Sequence, residues 1–303
     1  MELPISAKDG GPRRRRQGSV GASLERSAGL MRYDLRAMFA QRKPRRRTVT
    51  FREVTLPATL ASDLYASGYA PVVKEWDQAV GVIVAEYDRS LSELTTDAAP
   101  ELSGVIVSVD AGISRLMVTL RLRLERWAQR VEQAQRRKWS TNVKQSTGLD
   151  ISSMVGPADV RAPLGTVIER NVELVRSVSD QARARISDTV FRGLAEKKPA
   201  RAVAAEIREA VAMGRRRALN IASDQLSKAA ETLNEERRRQ AGLMAWEWVS
   251  SHKVNYRPEH AARDGKRYSD DPADGAPPPQ DRPGQLPFCG CTSRAVLSLD
   301  GEF

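Results

Sequence analysis

Three long stretches of this chain carry apolar residues at steps of three and four, and that spacing decides the fold class before any motif is considered. Val109, Ile113, Leu116, Leu120, Leu124, Trp127 and Val131 form one stripe, and Ile168, Val172, Val175, Ala182, Ile186, Val190 and Leu194 a second. Leu219, Ala222, Leu226, Ala229, Leu233 and Arg237 continue the same spacing in a third. A helix brings residues three and four apart onto one face, so each stripe is satisfied by packing against another. The expected fold is mainly α, built of long antiparallel helices. Residues 119–124 also alternate as a strand would, but the helical spacing persists on both sides and outweighs it. A chain with 29% charged and 5% aromatic residues suits helices better than large sheets.

Glycine and proline mark the breaks. Gly68 and Pro71 interrupt a helical pattern over 59–94, Asp97 and Pro100 end it, and a long helix follows to about Trp139. Gly148, Gly156, Pro157 and Pro163 predict a linker over 140–163, which separates a helical region, 56–139, from a second, 164–242. Pro199 ends one helix near Lys197, Gly214 predicts a stop after a short helix over 200–213, and Gly242 ends the last. Beyond Gly242 the texture changes. Residues 244–250 alternate as a half-buried strand does, and Asp264-Gly265 is a turn dipeptide. A small α+β module over 243–303 is expected, with two or three short strands fixed to the helices by Trp246 or Trp248. A proline-rich loop over 272–287 then returns Cys289 and Cys291 to it, and Asp270, Asp271 and Asp274 are expected to be solvated.

The net charge of +11 is unevenly placed. Residues 1–55 hold 14 Lys and Arg against 5 Asp and Glu, leaving 35 against 33 for the rest. Arg13, Arg14, Arg15 and Arg16, then Arg42, Lys43, Arg45, Arg46 and Arg47, stand among Gly, Pro and Ser, so the expectation is a basic, disordered N-terminal arm. Such clusters neutralise phosphates and suit DNA, while the plainer reading is a solvated tail or a contact for an acidic protein surface. Residues 30–39 are amphipathic enough to form a docking helix within the arm. The basic stretch 121–138 reads as a solvated helix face. No apolar run is long enough to cross a membrane and no secretory signal follows the basic start, so synthesis in the cytoplasm is expected.

The third stripe and the module together carry an ordered series of unlike residues: Ala222, Asp224, Gln225, Lys228, Gly242, Leu243, Trp248, Ser250, Arg257, His260, Asp264, Gly265, Lys266, Pro283, Gly284, Gln285, Cys289 and Cys291. In order and spacing this resembles the Mu F-like head morphogenesis family, minor head proteins of tailed bacteriophages, over roughly residues 165–295. Ser223, Lys253, Asn255 and Gly290 depart from the family pattern, mostly where it is charged, so a shared scaffold is better supported than a shared contact surface. The resemblance implies a low-copy virion head protein, made in the host cytoplasm, that acts in procapsid assembly near the portal by binding rather than catalysis. Its implied partners are the portal and other head proteins; DNA contact is suggested by the arm's charge alone. A free nucleic-acid-binding protein or metal-dependent nuclease is the alternative.

Both cysteines and both histidines of the chain fall in the module. His260, Cys289 and Cys291 supply ligand types that zinc favours, with His252, Asp264 or water as a fourth, and a structural zinc would suit a module too small for its own core. The C-x-C spacing is unusual for zinc, and the alternative is a pair of reduced thiols beside a histidine bonded to backbone. A Cys and His nucleophile pair is formally available as well, though one sequence does not place the two groups in reach.

Overall fold

The computed structural model describes residues 31–93 and 98–300. Along the chain run α1 (Leu35–Gln41), β1 (Thr48–Thr50), α2 (Thr59–Leu64), α3 (Ala70–Glu93), α4 (Ala98–Thr147), α5 (Arg161–Ala195), α6 (Ala200–Gln240), β2 (Ala245–Val249), α7 (Pro258–Ala261), β3 (Arg267–Ser269) and β4 (Thr292–Ser298). The architecture is mainly α with a small C-terminal sheet, as the apolar spacing predicts.

Helices α3 to α6 bury their stripes against one another in one large core. Leu120, Leu124, Trp127 and Val131 of α4 face Val175, Ile186 and Val190 of α5 and Ile207, Leu226 and Leu233 of α6, all buried. Polar tips within this core are satisfied: Trp127 Nε1 donates to the Leu60 carbonyl at 2.8 Å, and Trp76 Nε1 to Ser179 Oγ at 3.1 Å. At 50 residues, α4 extends for roughly 75 Å, and the strand reading of its middle is excluded.

Three of the expected breaks are absent. Gly68 lies in a π-helical turn, Tyr65–Tyr69, that joins α2 to α3, and the wider turn accommodates Pro71, which has no N–H to donate. Gly214 lies inside α6, which is one helix of 41 residues. A mid-helix glycine costs only about 1 kcal/mol, which packing on both sides of it outweighs. Ser140 to Thr147, placed in a linker by the sequence reading, are helical, and Ile151 and Val155 beyond them are buried. The breaks at Lys197 and Gly242 do occur. Lys197 (φ 51°) and Gly242 (φ +70°) are left-handed, and the following residues return hydrogen bonds to Gly193 and Arg238, closing both helix ends.

The expected arm divides at residue 31. Arg13, Arg14, Arg15 and Arg16 lie outside the described residues, but 31–55 are folded, which corrects the disordered reading there. Tyr33, Leu35, Phe39, Phe51 and Val54 form a second core with Trp139, Ile151, Leu243 and Leu297, and Phe51 stacks on Trp139 at 6.1 Å between ring centroids. Helix α1 is the amphipathic segment expected near 30–39, and its apolar side docks on this chain. Within the same segment β1 pairs antiparallel with β4, extending the sheet to the order β1-β4-β2-β3. Composition concealed this, because a few well-spaced aromatics can anchor a segment that is otherwise charged.

A buried polar network joins the cores. Arg237, fully buried in the third stripe, donates to Glu132 at 2.9 Å, to the Gly156 carbonyl at 3.0 Å and to Asp159 at 3.3 Å. Gln240 donates to the Asp159 carbonyl at 2.8 Å, and Arg32 pairs with the Asp159 carboxylate.

Candidate functional site

The sheet turns one face toward α6 and the other outward. Trp246, Trp248 and Tyr268 share the inner face with Ser293 and Ala295, because residues directly paired across strands point the same way. Outward, Glu247 lies between Arg267 and Arg294 at 3.4 and 3.7 Å. The inner face is tied down by Glu231 of α6, which accepts from the backbone N–H of Ser293 at 3.1 Å and from its hydroxyl. Burial of Glu231 pushes its carboxyl up to about 7, against the pull of Arg238 and of the Ser293 and Asn234 donors.

Under Trp248 the module closes on three side chains. His260, on the short helix α7, and Cys289 and Cys291, before β4, are 2%, 5% and 3% exposed. His260 Nδ1 is 3.2 Å from Cys289 Sγ and 3.6 Å from Cys291 Sγ, and all three ligand atoms lie within 4.8 Å of one another. The other ring nitrogen, Nε2, is 2.7 Å from Asp281 Oδ2, and Arg263 donates to Asp281 Oδ1 at 2.7 Å. Burial raises the Asp281 carboxyl, but the bonds from Arg263 and His260 outweigh it and hold the group below the ordinary range. Trp248 meets the His260 ring edge-on at 5.1 Å, with the Arg263 guanidinium 5.0 Å from the indole centroid.

Backbone conformation brings the sulfurs inward. Phe288 (φ 58°) and Gly290 (φ 69°) flank Cys289 in the left-handed region, so the chain reverses around it and both thiols face His260. Cys289 is drawn down to about 5 by the hydrogen bond from the Cys291 thiol, against its burial, with further help from the backbone N–H groups of Cys291 and Gly284. Cys291 is pushed up by its bond to Cys289 and by burial, while the Ser251 N–H and the Trp248 indole favour its charged form. The Trp248 Nε1 has no hydrogen-bond partner of ordinary length among the described residues, so its effect on the sulfur is that of a nearby dipole.

The remaining residues of the ordered series hold the loops that deliver these groups. Asp224 of α6 accepts from the Phe288 N–H at 2.7 Å and pairs with Lys228 at 3.2 Å. Arg257 donates to the Pro287 carbonyl at 3.1 Å, and Asp264 accepts from the Ser250 N–H at 2.7 Å. Gly265 and Gly284 (both φ +72°) make turns that favour glycine, and Gln285 accepts from the Arg282 N–H at 2.7 Å.

Two of the expected fourth ligands are elsewhere. His252 is exposed, its Nε2 3.6 Å from Asp264, and Asp264 is engaged with Ser250. Nor is His260 bonded to backbone through its ring, since both ring nitrogens meet side chains. The sequence reading missed Asp281, which stands in a proline-rich loop 21 residues from the histidine it orients, with no local pattern to mark it. Of the three aspartates expected to be solvated, Asp271 and Asp274 are exposed, while Asp270 is half-buried and accepts from Arg282 at 2.6 Å.

The basic cluster is displayed by folded chain. Arg42, Lys43, Arg45, Arg46 and Arg47 are exposed in the connection between α1 and β1. Arg42 donates to the Gly148 carbonyl at 2.6 Å and Arg47 pairs with Asp300, while Lys43, Arg45 and Arg46 have no carboxylate partner among the described residues. In the 121–138 stretch, Arg121 pairs with Glu169, Arg130 with Asp63 at 3.4 Å and Arg136 with Glu132 at 3.0 Å. None of the described helices is long and apolar enough to cross a membrane.

Comparison with known proteins converges on the same segment. Residues 184–294, from the end of α5 into β4, match the family described as Phage Mu protein F like protein, which bears out the resemblance read from the residues. A Haemophilus influenzae protein described as "Uncharacterized protein" is 28% identical over 161 residues, covering 52% of this chain and 35% of its own length. The chain therefore spans about a third of that relative. No solved structure matches this chain.

Proposed function

We propose that this chain is a minor head protein of a tailed bacteriophage, acting by binding during procapsid and head assembly, near the portal and the packaged DNA. The observation that carries the reading is the family match over 184–294, which covers the module and the helix that supports it. Binding rather than turnover is favoured by the burial of His260, Cys289 and Cys291, the only side chains of the module that a Cys-His nucleophile pair would use.

Two surfaces suit the role. Val107, Val118 and Leu122 of α4 are 58%, 79% and 56% exposed and lie eleven and four residues apart, three turns and one turn, so they share a face suited to another head protein. Lys43, Arg45 and Arg46 are the cations best placed to meet DNA or an acidic portal surface.

Mass spectrometry of purified heads tests the class. The protein is expected in heads or with the portal, at a copy number far below that of the shell protein, and to stay there in salt that strips DNA from basic side chains, since apolar docking is not screened. Replacing Lys43, Arg45 and Arg46 together by Ala should leave melting unchanged and flatten the salt dependence of DNA binding, by about 0.9 in log-log slope for each phosphate that is no longer neutralised. A free cytoplasmic protein that cleaves nucleic acid and is absent from heads would overturn the reading in favour of the nuclease alternative.

A further inference from the structure

We infer that His260, Cys289 and Cys291 bind one zinc ion, with Asp281 orienting the histidine from behind and water as the fourth ligand. The inference stands on the module's own geometry and is independent of the head-assembly reading. Zinc bonds of roughly 2.3 Å to sulfur and about 2.0 Å to nitrogen at tetrahedral angles place sulfur and nitrogen about 3.5 Å apart. The two separations in this structure are 3.2 and 3.6 Å. One imidazole nitrogen has a single lone pair or a single proton, so it cannot form a good hydrogen bond with both sulfurs at once, whereas a cation between the three atoms satisfies all of them.

The surroundings fit a thiolate-bound cation. Asp281 accepts at His260 Nε2, which fixes the proton there and turns the Nδ1 lone pair toward the sulfurs, the carboxylate-histidine arrangement that raises ligand basicity. The module's own apolar cluster is small, Trp246, Trp248 and the cysteines themselves with Tyr268 and Leu286 at the margin, so a metal would add to the hydrogen bonds that hold its loops. Binding at this point joins α7, the proline-rich loop and the approach to β4, so its free energy is stability of the module.

The full chain, purified without chelator, should contain close to one zinc by elemental analysis. After exchange with cobalt it should show thiolate-to-metal charge transfer and the ligand-field bands of a tetrahedral site. Cys289→Ser and His260→Ala should abolish both signals. Because those variants can fail to fold, Asp281→Ala supplies the second arm: it keeps all three ligands and should weaken zinc in competition with a chelator by about 10- to 100-fold. Metal-free protein that melts like the isolated form and gives no cobalt spectrum would overturn the site. If one cysteine of that protein were also alkylated stoichiometrically in the native state, the same three groups would be a Cys-His-Asp nucleophile set instead.

Discussion

In the helical body, buried positions resemble one another. Ile186, Val190, Val203 and Ile207 are each fully buried, and each contributes apolar area that another aliphatic side chain of similar volume would also supply. In the terminal module, Trp248, His260, Cys289 and Cys291 are buried nearly as completely, yet each does something its neighbours cannot: a ring edge, an imidazole nitrogen, two sulfurs. The body therefore tolerates conservative exchange and is specified by repetition. The module is specified by identity, and its hydrogen bonds join residues far apart in sequence, such as Asp224 with Phe288 and Glu231 with Ser293.

Arg237 puts this division under most pressure, being a body residue that behaves like a module residue. It occupies a stripe position but is a fully buried cation between Glu132 and Asp159. If identity matters there, Arg237→Ala leaves Glu132 with Arg136 and Asp159 with Arg32 as their remaining cations, removes the buried partner they share, and should destabilise by roughly 3 to 5 kcal/mol in urea unfolding. A loss below about 1 kcal/mol would place it with the interchangeable stripe.

What could be read from the sequence follows the same division. The stripes of α4, α5 and α6 were legible because helical burial repeats, save for Leu219, which is exposed, and so was the left-handed stop at Gly242, because the apolar spacing ends at a glycine. The end of the supposed linker was not, since Ile151 and Val155 are two isolated residues whose partners, Phe51 and Trp139 among them, lie elsewhere in the chain. The same holds for β1, a strand of three residues recruited by β4 some 250 positions away. In the site, His260, Cys289 and Cys291 were found by their chemistry, as the chain's scarcest residue types. Asp281 was not, because aspartate is common and only the fold brings it to the ring.

Glu231 offers a smaller effect at the boundary between body and module. Burial pushes its folded carboxyl from the ordinary 4.5 up to about 7, so the folded state holds the proton more tightly. The stability this contributes is fully present below pH 4.5 and is lost as pH rises through about 7. Glu231→Gln removes the titration and keeps an acceptor for Ser293. The unfolding free energy of the unsubstituted protein should thus fall relative to the variant by about 1 to 3 kcal/mol across that window. A difference independent of pH would mean that Arg238 and the Ser293 donors hold Glu231 charged throughout.

The smallest effect decides by its sign. Gly214 is the residue at which sequence punctuation predicts a helix end and the structure shows continuous α6, with open space where a Cβ would stand. At a helix stop, glycine takes the left-handed conformation, and alanine there costs roughly 1 kcal/mol or more, as expected at Gly242. Inside a helix the same substitution removes chain entropy from the unfolded state without straining the folded one. Gly214→Ala should therefore stabilise by about 0.5 to 1 kcal/mol, read as a rise in the urea midpoint at constant slope. Destabilisation would mean that α6 is two helices, and that the third stripe, with Arg237 and the support it gives the module, belongs to a separate shorter element whose position on the body is set by the joint at Gly214.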